Sequence, residues 1–116
     1  MEIVVENLSK SFGAVRANDA ISLRFEAGQI HGVLGENGAG KSTLMKLLSG
    51  FLRRDAGTFR LTGQPFELGT PAAAGRAGVG MVHQDPLDVP AFSALENLYC
   101  GMSRATLPSR AAARAA

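Results

Sequence analysis

Gly35-Glu36-Asn37-Gly38-Ala39-Gly40-Lys41-Ser42-Thr43 is the stretch on which the fold turns. It satisfies the pattern G-x-x-x-x-G-K-[ST], in which a glycine-dense loop opens straight into a helix. Its flanks supply that setting. Ile30-His31-Gly32-Val33-Leu34 before it is a strand-like apolar run. After it, Leu44, Leu47, Leu48 and Phe51 fall at i, i+3, i+4 and i+7, one face of a helix that begins at Lys41 and ends near Gly50.

The residue types suit a triphosphate, which brings several negative charges and many acceptor oxygens. Successive backbone N–H groups in a tight loop can cradle such an anion, and Gly35, Gly38 and Gly40 leave that backbone accessible. The helix that follows offers free N–H groups and a partial positive charge at its start. Lys41 adds a mobile full charge for the outer phosphates, and the Ser42 hydroxyl is a ligand for Mg²⁺. The loop alone identifies a nucleoside triphosphate site, without fixing the base or the work done.

Outward from the loop, the chain alternates between short strands and helices. Residues 3–8 read as a strand, as do residues 20–25, where Ile21, Leu23 and Phe25 share one face. Ala27-Gly28 turns the chain towards the strand at residues 30–34. A further strand is expected over 58–61, between turns at Ala56-Gly57 and Gly63, and another over 79–82. Thr70-Pro71 reads as the N-cap and first position of an Ala-rich helix to about Ala77. Ser93 caps a second helix with Ala94, Leu95 and Leu98 on its apolar face, and residues 109–116 look like a third helix beginning.

The chain has 116 residues, enough for one domain. Hydrophobic residues make up 46% and charged residues 19%, a globular composition. Residues 1–100 carry nine basic and ten acidic side chains, a net of −1; Arg104, Arg110 and Arg114 then bring the whole to +2. The body therefore has no basic excess to attract nucleic acid. A single cysteine, Cys100, excludes an internal disulfide and fits a reducing compartment. No apolar run approaches the length of a membrane span, and Met1-Glu2-Ile3 does not resemble a secretory signal.

Several further segments occur in a telling order. Leu8-Ser9-Lys10-Ser11-Phe12-Gly13 precedes the loop, Gly80-Met81-Val82-His83-Gln84 follows it, and Ala94-Leu95-Glu96-Asn97-Leu98 comes after that. Together with Asn37 to Leu44 they resemble the N-terminal half of an ATP-binding cassette (ABC) transporter ATPase, across residues 2–101. The resemblance implies an α/β fold of the P-loop NTPase type, incomplete here. Residues 1–101 would be the first part of a nucleotide-binding domain, and 102–116 the start of its helical subdomain. It implies MgATP held by Gly35, Asn37, Gly38, Ala39, Gly40, Lys41, Ser42 and Thr43. Phe12 would stack on adenine, since a base–aromatic contact needs no hydrogen-bond code. Gln84 would join Ser42 at the metal. Glu96-Asn97 matches a segment near the membrane partner. The stretch from Met81 to Asn97 is most similar to importers of simple sugars and nucleosides, although Asp85-Pro86 departs from the bulky residues usual there. His83 and His31 read as structural, and Cys100 as a small apolar helix residue.

The same resemblance calls for features that this sequence does not show: a Leu-Ser-Gly-Gly-Gln signature, an apolar strand ending Asp-Glu, and a switch histidine. Leu48-Ser49-Gly50 begins like the signature but continues with Phe51 on the helix after the loop. The expectation is weak MgATP binding with negligible hydrolysis by these 116 residues alone, and an unpaired sheet edge beside Val33 and Leu34 that favours aggregation. In the whole protein, an ATPase on the cytoplasmic face of the membrane would serve two permease subunits, with a second cassette in trans or in tandem. A solute-binding protein would deliver the cargo. The alternatives are a non-transport ABC ATPase of translation or DNA repair, and a non-catalytic nucleotide-binding remnant.

Overall fold

The computed structural model describes residues 1–85 and 88–101. They fall in two compact units, one over residues 1–81 and one from residue 82 onward.

In the first unit, β1 (Ile3–Phe12) turns through Gly13-Ala14 into β2 (Val15–Phe25), and the two pair antiparallel from Phe12↔Val15 back to Ile3↔Phe25. β3 (Ala56–Leu61) runs along the other side of β1, from Ile3↔Leu61 to Ser9↔Ala56. It returns through Thr62-Gly63 to the short β4 (Gln64–Phe66). Both turn residues have positive φ, 48° and 78°, as a two-residue hairpin with the twist of its strands requires. The sheet order is β2-β1-β3-β4, antiparallel throughout.

Perfect alternation would bury every second residue of a strand. In β1, Val5 and Leu8 are both buried although three apart. The register slips between them, where Asn7 has φ 51°, so an extra residue bulges out and parity reverses. β2 slips likewise between Ile21 and Asn18, with Ala20 at φ 45°. Ile21 and Phe25 pack on the core as expected, while Leu23, on the edge strand, stays 37% exposed.

The first helix, α1 (Lys41–Leu48), contains no glycine, proline or β-branched residue beyond Thr43. Its Leu44, Leu47 and Leu48 join Val5, Leu8 and Phe59 of the sheet in one core, with Leu68 and Ala74. Burying one such side chain stabilises the fold by about 1.5–3 kcal/mol. The helix stops at Ser49, whose hydroxyl donates to the Met45 carbonyl at 2.8 Å. Phe51, expected on the buried face, lies beyond that stop and is 48% exposed. Ser49 itself is buried, so Leu48-Ser49-Gly50 is a helix ending. A second helix, α2 (Pro71–Arg76), starts where Thr70 Oγ1 accepts from the Ala73 N–H at 3.2 Å.

The sequence predicts strands over 30–34 and 79–82, and the structure forms neither. A strand persists by pairing its N–H and C=O groups with a neighbour. Among the described residues no strand pairs with either run, and the sheet that does form is antiparallel. Ile30 and Leu34 are 103% and 95% exposed, and Val82 is 98% exposed. His31, expected on that strand, is exposed; its Nε2 accepts from the Glu26 N–H at 2.9 Å, and its ring stands edge-on to Phe25.

The second unit contains α3 (Ala94–Gly101). No helix among the described residues is long and apolar enough to cross a membrane. Pro86 and Leu87 lie outside the described residues, as do residues 102–116 with Arg104, Arg110, Arg114 and the helix expected over 109–116.

Candidate functional site

The candidate site is the loop that leads into α1. Gly35 to Ala39 are exposed, and the Ala39 N–H donates to the Glu36 carbonyl at 3.2 Å, closing a tight turn. α1 then begins at Gly40 with no side-chain cap and no acidic residue in its first turn. Its first intrahelical bond runs from the Leu44 N–H to the Gly40 carbonyl at 2.9 Å. The N–H groups of Lys41, Ser42 and Thr43 come before that bond and have no partner within the helix. An uncapped helix start suits an anion, whereas an N-cap side chain would compete with it.

Lys41 folds back over the loop. Its Nζ donates to the carbonyls of Gly35 at 2.6 Å and Glu36 at 2.7 Å. A Cβ at Gly35 would lie 3.3 Å from that of Ala39 and 3.8 Å from Cδ of Lys41, so a side chain there would crowd the loop. Asn37 and Gly38 stand at the exposed turn, Ser42 is exposed at the helix start and Thr43 is half-buried. These features fit a bound phosphate chain: free donors, one mobile cation and a hydroxyl, with no carboxylate in the helix's first turn. No cluster of three His, Cys, Asp or Glu side chains occurs among the described residues. Mg²⁺ held by Ser42 and phosphate oxygens needs no such cage.

One contributor was invisible in the sequence. Asn18, on β2, is 4% exposed, and its Nδ2 donates to the Gly40 carbonyl at 3.3 Å. The Ala17 carbonyl beside it lies 2.2 Å from where a Cβ of residue 40 would be. β2 thus presses on the loop at its last glycine.

Phe12 ends β1, 48% exposed. Lys10 Nζ lies 5.5 Å from its ring centroid and 2.8 Å from Asp55 Oδ1. The hydrogen bond from Lys10, with a second from the Ser11 N–H, holds the Asp55 carboxyl below the usual carboxylate range. Across the sheet Lys10 pairs with Asn18, so register alone links the Phe12 end of β1 to the loop's anchor.

Gln84 belongs to the second unit and is exposed. In that unit Ser93 and Glu96 form a reciprocal cap: the Ser93 N–H donates to Glu96 Oε2 at 2.9 Å, and the Glu96 N–H to Ser93 Oγ at 3.3 Å. Asn97 accepts from the Val89 N–H at 2.7 Å and donates to the carbonyls of Val89, Phe92 and Ser93. Glu96 and Asn97, expected near a membrane partner, therefore fasten their own helix to the loop before it. His83 is half-buried, and Cys100 is exposed on α3.

Comparison with known proteins gives the family. The ribose import ATP-binding protein of Ruegeria sp. is 46% identical over 82% of the chain, and the glucose import ATP-binding protein of Haloferax volcanii is 47% identical over 91%. The chain spans about a fifth of each, 19% of its length. A solved ATP-binding cassette of an ABC transporter superposes with a TM-score of 0.74 at 26% identity, over 99% of the chain and 51% of that cassette. The sequence pattern of the ABC transporter family matches residues 18–116. That span runs from Asn18 through the whole phosphate loop to the end of the chain, and by it the chain belongs to the ABC transporter family.

Proposed function

We propose that the chain is the nucleotide-holding part of the ATP-binding subunit of an importer, with MgATP as ligand. On this reading residues 1–101 belong to the first part of a nucleotide-binding domain. The observation that carries this reading is the uncapped start of α1 beneath a glycine loop that Lys41 closes. There the N–H groups of Lys41, Ser42 and Thr43 orient an anion. Lys41 exchanges two neutral carbonyls for charged oxygens, and charge-assisted bonds are roughly twice as strong. Ser42 offers its hydroxyl to Mg²⁺ and Phe12 a stacking face to the base, while the family resemblance alone assigns Gln84 an amide role at the metal. Bound MgATP supplies the phosphoanhydride bond whose hydrolysis powers transport. No residue of this chain is assigned to activate water, so binding belongs to this chain and hydrolysis to the whole cassette.

The import function rests on the relatives, which are named as ribose and glucose import ATP-binding proteins. The cargo class is accordingly a simple sugar or nucleoside. The partners are permease subunits, a second cassette and, through them, a solute-binding protein, with this subunit peripheral on the cytoplasmic face. No relative reported above favours a role in translation or DNA repair.

Calorimetric titration of MgATP into the whole protein tests the site. Lys41→Ala is expected to weaken binding by about 10-fold to 100-fold, the worth of a charge-assisted bond. Unchanged affinity would refute the assignment.

A further inference from the structure

Asn18 is buried with only half of its amide used. Its Nδ2 donates to the Gly40 carbonyl, but its Oδ1 is buried and accepts no hydrogen bond among the described residues. A buried acceptor without a partner costs stability, and an apolar side chain of the same shape would avoid that cost. The neighbouring Ala17 carbonyl fills the space beside Gly40, so β2 meets the loop through both backbone and side chain. The bulge at Asp19-Ala20 is what turns Asn18 towards the loop, and it leaves Ala20 in the left-handed region at φ 45°. Local structure is thus set against stability at a residue of β2 whose side chain reaches the phosphate loop.

We propose that Asn18 is a positioning residue for the phosphate loop. By holding the Gly40 carbonyl it fixes the direction in which the N–H groups at the start of α1 point, and so sets the affinity for the phosphate chain. It touches no phosphate itself. Gly40 is its point of action, because the same carbonyl also accepts the first intrahelical bond of α1. The inference rests on the phosphate-loop reading above.

Asn18→Leu keeps the branching of the side chain and removes both the donor and the orphan acceptor. In the whole protein, it is expected to weaken binding of MgATP and of inorganic tripolyphosphate by the same factor, about fivefold to tenfold, the worth of one hydrogen bond. The melting temperature without nucleotide should hold or rise, which a merely structural residue would not allow. Asn18→Ala puts the same question with a smaller side chain should the leucine variant fail to fold. A melting temperature that falls while affinity holds would overturn the proposal, and so would a loss confined to ATP with tripolyphosphate unaffected. Lys41→Ala separates the two levels. If it leaves tripolyphosphate binding unchanged, the phosphate-loop reading fails; if it weakens binding and Asn18→Leu does not, only the role of Asn18 fails.

Discussion

Gly38 and Gly40 have nearly the same backbone, φ 85° and 86°, and differ in what surrounds them. A Cβ at Gly38 would meet nothing within 4 Å, whereas at Gly40 it would lie 2.2 Å from the Ala17 carbonyl and 2.9 Å from Asn18 Nδ2. Alanine at either site pays for the left-handed conformation, about 1–2 kcal/mol. Only at Gly40 must β2 or the loop also move. Gly40→Ala should therefore lower the urea midpoint of the whole protein clearly more than Gly38→Ala, and should weaken tripolyphosphate binding along with it. Equal midpoints would mean that β2 does not press on the loop. The glycines, Lys41 and Ser42 stood out in the sequence because their spacing matches the pattern of an anion cradle. Asn18 was not. Its parity differs from that of Ile21, Leu23 and Phe25, so alternation assigns it to the outer face. The bulge that reverses this follows from register with β1, which one strand's sequence does not disclose.

The helical elements were read more faithfully than the strands. α1 starts at Lys41, Thr70 caps α2, and Ser93 caps α3, as their spacing and capping residues imply. Each of these signals is local. A cap bonds within three or four residues, and a helix face repeats within a turn. Strand pairing is not local, and here sequence reasoning missed β4. Pro65 argues against a strand, yet β4 lies at the sheet edge, where a missing N–H is tolerated. The end of α1 is a smaller miss of the same origin, since apolar period alone carried the face on to Phe51. The energetics follow the observed elements. Leu47 is fully buried between helix and sheet. Leu47→Ala should destabilise the folded protein by about 2–5 kcal/mol in equilibrium denaturation. A cost below 1 kcal/mol would show that α1 is not packed on the sheet as described.

At the scale of the molecule, one run that spacing reads as a strand, residues 30–34, is left unpaired and largely bare. Ile30 and Leu34 flank the phosphate loop on its N-terminal side and are almost wholly exposed. Exposed apolar surface of this kind marks an interaction site or an aggregation liability. The chain covers 51% of a solved cassette, and our reading is that residues 30–34 pair as a buried strand once the rest of such a cassette is present. That reading gives one pair of substitutions opposite effects in two contexts. In the 116-residue chain alone, Ile30→Lys with Leu34→Glu replaces exposed apolar side chains with charges. It should reduce dye binding to apolar surface and reduce self-association, and leave the β1–β3 core intact. In the whole protein the same pair would force two charges into a buried strand, where unpaired charges cost several kcal/mol each. Soluble yield and nucleotide binding should then be lost together. Light scattering and dye fluorescence on the short chain, with yield and MgATP titration on the whole protein, measure both arms. A short chain that is already monomeric and melts cooperatively, or a whole protein that tolerates both charges, would show that residues 30–34 remain outside the sheet.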